Sequence, residues 1–180
     1  MESGITHVEK TRFEAYIEVP ELMERYYDFG TTLSRCRACP GFAGTWSCPE
    51  FSFDPRAFWA KYSRLHLIVD RLSNQGLPTV ERAQAQLTAQ KRLFDREMLE
   101  LEKGVEGGYA LAAQECMECG RCARLSGQPC RHPDRMRFAL EAVGILVVDL
   151  VADRLGFPVL WSDGVSIPDY YLLVGGVLER

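Results

Sequence analysis

The chain has 180 residues, of which 47% are hydrophobic and 26% charged, and this predicts a single globular domain over residues 1–180. The composition excludes a disordered chain and a collagen-like repeat, and no stretch approaches the ~18 uninterrupted apolar residues that a membrane crossing needs. The formal net charge of −4 argues against non-specific binding to nucleic acid or to an anionic membrane. The N-terminal stretch lacks the apolar core of a secretory signal, so we expect a cytoplasmic protein.

The first third of the chain predicts one strand and two helices around a cysteine-rich loop. Residues 15–19 are a candidate short strand. Pro20 suits the first turn of a helix, because its fixed φ fits there and its missing N–H is not needed, and this helix should end before Gly30. Asp54 is a natural N-cap and is followed by a proline, which predicts a second helix over residues 53–62.

The middle of the chain predicts a buried strand and the longest helix. Residues 65–72 are β-branched and nearly continuously apolar at their centre, which suits a strand buried on both faces. Thr79 is placed to cap a helix over residues 80–103 that stops at Gly104. Apolar residues at helical spacing give this helix a core-facing side, opposite a side of Gln, Lys, Arg and Glu: Val80, Ala83, Leu87, Phe94, Met98 and Leu101.

The last third of the chain predicts short alternating elements. They are a strand over 109–113, a helix over 133–144, a strand over 145–148, a helical turn ending at Gly156, an extended segment over 159–161 and a strand over 170–179. The pair Gly175–Gly176 inside the last strand indicates a bulge or a close backbone contact. Because strands alternate with helices, we expect an α/β fold, with α+β as the alternative: a small mixed β-sheet flanked by helices, with two cysteine-rich loops at element ends.

Seven cysteines are the most informative residues of the sequence. They have the spacings C-x2-C-x8-C and C-x2-C-x2-C-x7-C and are termed here the triad, Cys36, Cys39 and Cys48, and the quartet, Cys116, Cys119, Cys122 and Cys130. A disulfide framework fits poorly, because the count is odd, no export signal is visible and cytosolic thiols are kept reduced. Ordinary buried cysteines would scatter through apolar faces, whereas these lie in polar segments rich in Gly and Pro. All seven are therefore candidate metal ligands.

The spacing of the quartet favours an iron–sulfur cluster. Three thiolates at i, i+3 and i+6 of a tight loop can each bind a different iron of one [4Fe-4S] cubane. The opening matches the bacterial ferredoxin run, but the fourth cysteine, Cys130, comes later and Pro133 lies three residues beyond it, so the pattern supports the chemistry and not that family. Zinc is the alternative metal, although four-cysteine zinc sites usually draw on two C-x2-C pairs that lie well apart.

Basic residues are concentrated around the quartet. From Cys116 to Arg137 five arginines outnumber two acidic residues, which leaves a local charge of +3: Arg121, Arg124, Arg131, Arg135 and Arg137 against Glu118 and Asp134. This charge would partly compensate the charge of about −2 on an oxidised cubane with four thiolates. It would equally serve as a docking patch for an acidic redox partner protein, and an ordinary solvated basic face is the third interpretation.

The triad is one thiolate short of four ligands. Phe42 and Trp46 lie between its members and would shield a bound cluster from water, although Trp46 is equally suited to core packing. The histidines of the chain are His7, His66 and His132. His66 lies in an apolar strand and is better explained as a core residue, and a lone histidine before a helix, as at His132, is usually structural. Alternatively, Cys130 completes the triad, as the fourth cysteine does in two-cluster ferredoxins, and leaves the rest of the quartet open.

Seven ligands divide as four plus three in either arrangement. We therefore predict an iron–sulfur protein with one [4Fe-4S] cluster or two, acting in electron transfer or as the accessory redox unit of an oxidoreductase. An iron held by three thiolates and one exchangeable ligand is Lewis-acidic, so an enzyme that binds substrate or sulfide there is an alternative. A structural zinc module for interaction with a partner is another. No nucleotide-binding or hydrolase motif is present, and the sequence leaves open whether the protein is an enzyme.

Four short motifs carry a family resemblance that extends from about residue 35 to the end of the chain. They are R-C-x2-C-P…W-S-C-P over residues 35–49, C-x2-C-G-x-C over 116–122, P-C-R-x-P over 129–133 and E-A-V-G-I over 141–145. On these motifs the chain resembles an uncharacterised prokaryotic family described as predicted metal-binding proteins. The resemblance implies metal binding by the seven cysteines, with iron–sulfur chemistry, and no particular reaction. Glu50 departs from the family pattern, in which a second proline is expected after Cys48-Pro49.

Overall fold

The computed structural model describes residues 8–180 of the chain. His7, one of the three candidate histidines, lies outside the described residues. Among residues 8–180, no helix combines the length and the apolar composition that a membrane crossing requires.

Four strands form one sheet in the order β1-β2-β4-β3. The strands are β1 Lys10–Glu18, β2 Arg64–Ser73, β3 Tyr109–Leu111 and β4 Tyr170–Glu179. β2 and β3 run in the same direction, but β4 lies between them and is antiparallel to both. The predicted combination of helices with a small sheet is confirmed. The sequence predicts a mixed sheet. In the described residues every pair of neighbouring strands is antiparallel, since strands that run in the same direction are never neighbours.

Helices cover both faces of this sheet. They are α1 Val19–Tyr26, α2 Phe29–Arg37, α3 Pro55–Trp59, α4 Val80–Lys103 and α5 Val147–Leu155, with a 3₁₀ turn at Ala123–Ser126. On one face, Ile68 and Leu72 of β2 pack with Leu173 of β4 against residues of α4. On the other face, residues such as Leu67 and Val174 pack with α1, α3 and α5. Both faces of the two central strands are therefore buried, as the apolar run in β2 predicts.

The longest predicted helix, α4, is confirmed from cap to end. The hydroxyl of Thr79 accepts a hydrogen bond from the backbone N–H of Arg82 at 3.3 Å, and Gly104 follows the last helical residue. Four residues of the predicted apolar side are buried: Ala83, Leu87, Phe94 and Met98. Leu101, in contrast, is 38% exposed. Lys91 is only 1% exposed, because its position four residues after Leu87 and three before Phe94 places it on the buried side of the helix.

The sequence predicts that Gly30 ends the first helix, but a second helix, α2, runs through this glycine. Asp28 starts α2, because its carboxylate accepts a hydrogen bond from the backbone N–H of Thr31 at 2.9 Å. The N–H of Asp28 itself donates to the carbonyl of Gly144 at 2.9 Å, which fixes the start of α2 against a distant segment. This correction bears on the metal ligands, since α2 carries Cys36 in its last turn.

Two elements predicted after the quartet are wrong. Residues 133–144 form turns and extended segments instead of a helix. The carbonyl of Phe138 accepts a hydrogen bond from the N–H of Ala112 at 3.0 Å, so this stretch pairs with the chain that leaves β3. Residues 145–148 do not form a strand: only Ile145 makes a bridge to another segment, and α5 begins two residues later.

Other predicted elements differ only in length. β1 begins before residues 15–19, and α3 is shorter than the predicted 53–62. Asp54 caps α3 as expected, since its carboxylate accepts from the N–H of Arg56 at 2.9 Å. The helix predicted to end at Gly156 is α5, which stops there.

The glycine pair of β4 makes the close backbone contact that the sequence predicts. A Cβ on Gly176 would lie 2.1 Å from the carbonyl oxygen of His66, and one on Gly175 would lie 2.4 Å from that of Leu111. Gly176 also has a φ of +155°. The register between β2 and β4 runs through both glycines without a bulge, so the pair serves the close approach of the neighbouring strands.

Candidate metal centre

The two cysteine segments contact each other directly. The backbone N–H of Cys116 donates to the hydroxyl of Ser47 at 2.8 Å, and Ser47 is 1% exposed. The indole N–H of Trp46 donates to the carbonyl of Gln128 at 3.0 Å. Trp46 therefore joins the triad loop to the quartet loop, in addition to any shielding of a bound group.

Arg124 makes the most contacts between the two segments. Its guanidinium donates to the carbonyls of Thr45 at 2.7 Å, of Cys48, and of Glu50 at 3.0 Å. The same group lies 5.3 Å from the centre of the Trp46 ring, a cation–π distance. Arg124 thus holds the backbone of the triad loop in place, a role that the sequence pattern did not predict.

The four cysteines of the quartet line one small cavity. β3 leads the chain into this loop, and the 3₁₀ turn after Cys122 ends at Gly127, whose φ of +66° reverses the backbone. Cys130 then returns to the cavity that Cys116 and its neighbours line. The exchange arrangement, in contrast, would require Cys130 beside the triad.

The triad lies on the end of α2 and in the turns that follow it. The N–H of Cys39 donates to the carbonyl of Cys36 at 3.0 Å, which continues the helix as a turn. The backbone N–H of Gly41 lies 3.4 Å from the sulfur of Cys39, and the hydroxyl of Thr45 lies 3.3 Å from that of Cys48. Each of these two candidate metal ligands therefore has a hydrogen-bond donor beside its sulfur.

Burial controls the acidity of two candidate ligands. Burial, followed by the charges of Glu141 and of the other two triad thiols, raises the pKa of Cys36 to about 11. Burial also raises the pKa of Cys116, while the ammonium group of Lys91 acts in the opposite direction. Because metals bind the thiolate, a metal at either site must displace these protons.

The histidines make contacts of a structural kind. His132 lines the quartet cavity, and its Nδ1 lies 2.7 Å from the guanidinium of Arg135. Since arginine only donates, Nδ1 accepts and the ring proton lies on Nε2, which makes Nε2 a hydrogen-bond donor. His66 is bonded to the carboxylate of Glu14 at 2.7 Å and stacks on the exposed Tyr16 at 4.4 Å. It is half-buried at the edge of the core and is not the core residue that the sequence predicts.

Three of the five arginines near the quartet are engaged in internal contacts. Besides Arg124, they are Arg135, which pairs with Glu118 at 3.0 Å, and Arg137, which pairs with Glu102. The remaining two, Arg121 and Arg131, are exposed, and the guanidinium of Arg131 donates to the carbonyl of Arg121. The free positive surface is therefore smaller than the local charge of the sequence indicates.

A buried ion pair at the start of the quartet loop is a feature that the sequence reading missed. Lys91 pairs with Asp95 one turn later in α4, and Asp95 also accepts from the backbone N–H of Ala113 at 3.0 Å. Burial raises the pKa of Asp95, against the effect of Lys91. The available signal was the i, i+4 spacing of a lysine and an aspartate, but such pairs are common on exposed helix faces.

The donor set of the two loops consists of sulfur. Among residues 8–180, no three His, Cys, Asp or Glu side chains converge tightly enough to hold a single metal ion. The quartet thiols are instead distributed around the wall of their cavity. Thiolate-only sites suit zinc and iron–sulfur clusters among biological metals.

A fold that brings two cysteine loops together defines the class of cysteine-rich metal-binding proteins. The chain belongs to the family of predicted metal-binding proteins (DUF2284), which matches residues 30–178, from α2 to the end of β4. The resemblance drawn from the cysteine motifs is thereby confirmed. Comparison with curated proteins and with solved structures gives no match.

Proposed function

We propose that this protein binds a [4Fe-4S] cluster through the quartet, Cys116, Cys119, Cys122 and Cys130. The observation that carries the proposal is the single cavity that all four cysteines line. The C-x2-C-x2-C spacing suits three corners of one cubane, and Cys130 supplies the fourth ligand. When bound, such a cluster supplies one-electron redox chemistry.

Hydrogen-bond donors and positive charge around the quartet support an anionic group at this position. His132 and Arg131 line the same cavity as the thiols. The buried ammonium group of Lys91 acts on Cys116 from the side of α4. Donors and positive charges next to a cluster stabilise its reduced form, so these residues would raise the reduction potential.

We propose electron transfer in the cytoplasm as the function of this site, either alone or as the accessory redox unit of an oxidoreductase. Each quartet cysteine is partly exposed, so a cluster there would lie near the surface and within reach of a redox partner. Arg121 and Arg131 are exposed beside it and favour a partner with an acidic contact surface.

The triad supports a second candidate function, that of an enzyme. A cluster held by Cys36, Cys39 and Cys48 would have one iron without a protein ligand, and such an iron is a Lewis acid. The observation that favours this candidate is Glu141, which lines a larger cavity and whose charge raises the pKa of Cys36.

Anaerobic purification of the full chain, followed by absorbance and EPR spectra before and after dithionite reduction, tests the proposal. We expect Cys119→Ser to remove the reducible cluster of the quartet. Cys39→Ser, the matched change in the triad, should leave that cluster in place. Equal loss in both variants, or a protein that holds zinc and no iron, would contradict the assignment.

A further inference from the structure

A cavity of about 250 Å³ lies beside the first half of β4. β3 has only three residues and pairs with the far end of β4, from Gly176 to Leu178. Within the described residues, β4 residues 170–175 therefore have β2 as their only strand partner. The chain leaves the sheet after Leu111, and Gln114 of the segment that follows is among the residues that line the cavity.

The walls of this cavity combine seven apolar residues with five polar ones. The polar lining residues are Gln84, Gln114, Glu141, Ser162 and Tyr171. Gln84 donates to the hydroxyl of Tyr171 at 3.1 Å, which orients both side chains. None of the described residues that line the cavity is a lysine or an arginine. Apolar walls with a few oriented polar groups are typical of small-molecule sites, and the volume is near the lower end of their range.

The open edge of β4 adds backbone groups to the site. A strand edge without a neighbour presents alternating N–H donors and C=O acceptors. A primary amide or a lactam carries one donor and one acceptor on the same edge and can pair with them as another strand would. Leu172 and Val174, which belong to this edge, line the cavity.

The backbone at Gln114 is in a strained conformation of the kind that is often found at functional sites. Its φ of +56° lies in the left-handed region, which a residue with a side chain adopts at a cost of about 1 kcal/mol or more. This conformation occurs where Gln114 lines the cavity, two residues before Cys116. The cavity thus lies between β4 and the segment that enters the quartet loop.

We propose that this cavity binds a small, uncharged, planar molecule that carries an amide or lactam group. The apolar walls contact its ring, and Trp161, 73% exposed at the cavity, offers a further aromatic surface. Gln84, Gln114 and the open edge of β4 pair with its amide group. A carboxylate or phosphate would enter without a basic partner and next to Glu141, so anions are excluded. A role of this ligand in metal chemistry rests on the proposed function, whereas its binding rests on the cavity alone.

Benzamide and benzoate test this inference, because they share one ring and differ in the amide and the carboxylate. Ligand-observed NMR titrations of the full chain give the dissociation constant of each probe. We expect benzamide to bind at least tenfold more tightly than benzoate. Gln84→Leu should weaken benzamide at least fivefold, and Gln75→Leu, an exposed glutamine outside the cavity, should leave its affinity unchanged.

Three results would overturn the inference: no binding of benzamide, binding of benzoate as tight as that of benzamide, or equal weakening in the two glutamine variants. Iron and sulfide content, measured on the same samples, reports separately on the proposed function. A protein without iron that still binds benzamide selectively would support the cavity site and refute the cluster.

Discussion

Arg124 is the residue whose contacts join the two halves of the candidate metal centre. One guanidinium group bonds three backbone carbonyls of the triad loop while its own backbone belongs to the quartet loop. A lysine has the same charge but presents a single ammonium group in place of the planar fork. The geometry of Arg124, more than its charge, therefore keeps the loops together.

Arg124→Lys should lower the free energy of unfolding by about 1–2 kcal/mol: Nη1 binds the carbonyls of Thr45 and Cys48 and Nη2 binds that of Glu50, so a single ammonium nitrogen leaves at least one carbonyl without its donor. It should also lower the iron retained after purification by at least half. Urea unfolding and iron analysis measure the two effects. Arg121→Lys, an exposed arginine in the same loop, is the matched control and should change neither quantity. Equal effects of the two variants would show that charge alone matters.

Lys91 and Asp95 form a pair whose members need each other, because both are largely withdrawn from water. Lys91→Met should destabilise the protein by about 3–5 kcal/mol, since it leaves the Asp95 carboxylate without its partner. The double variant Lys91→Met/Asp95→Asn should be more stable than Lys91→Met alone. Chemical denaturation of the three proteins measures this coupling, and additive losses would contradict it.

At the scale of whole elements, β4 is the strand on which the sheet depends, since β2 and β3 both pair with it. Gly176 permits this pairing in two ways: it adopts a φ of +155°, and it has no Cβ, which would lie 2.1 Å from the carbonyl oxygen of His66. Any side chain at this position must push β2 away from β4.

Gly176→Ala should therefore cost about 2–4 kcal/mol, because backbone strain adds to the overlap with β2. Gly164→Ala serves as the control: Gly164 has a φ of +78° but open space around it, so only the strain of about 1 kcal/mol applies. Thermal unfolding compares the two variants. Similar losses of stability in the two variants would mean that the overlap with the His66 carbonyl does not destabilise the protein.

Elements with strong local signals are those that the sequence predicts correctly. α4 has a cap at Thr79, a long apolar period and a glycine at its end, and all three act within the helix itself. Residues 133–144 also have a helical start and a glycine at their end, but distant contacts decide their conformation. The N–H of Ala112 donates to the carbonyl of Phe138, and the carboxylate of Glu102 accepts from Arg137. Ala112 and Glu102 both lie outside residues 133–144.

At the scale of the whole molecule, an ionic network joins β1, β2 and α4. Asp70 of β2 is 1% exposed and pairs with Lys10 at 3.0 Å and with Arg12 at 2.7 Å, and Arg12 also binds Glu97 of α4 at 2.8 Å. Burial alone would raise the pKa of Asp70, but the hydrogen bonds from Arg12 and Lys10 outweigh it and hold the pKa below its usual value.

Because the pKa of Asp70 is lower in the folded than in the unfolded chain, its stabilisation is present above about pH 4 and is lost as the pH falls through the folded pKa. Asp70→Asn should cost about 3 kcal/mol at pH 7, since it breaks a buried charge pair. Urea unfolding between pH 7 and pH 3 should show the difference from the unchanged protein shrinking below pH 4. A constant difference would contradict the network.

The sequence alone indicates the candidate cysteine ligands, but it does not indicate the residues that hold the two cysteine loops together. Cysteine spacing is local, so the quartet and the triad are evident in the sequence. Arg124, Ser47 and Glu141 act across the fold, and nothing in their local sequence marks them. Lys91 has a local signal, its i, i+4 spacing to Asp95, but that spacing is common on exposed helix faces. The order of the strands is likewise set by long-range pairing with β4.

Iron and acid-labile sulfide analysis of the anaerobically prepared full chain is the most direct test of a [4Fe-4S] cluster in the quartet. We expect about four iron and four sulfide per chain for a filled quartet, and about twice that amount if the triad also holds a cluster. Zinc at about one equivalent per chain with neither iron nor sulfide would contradict it.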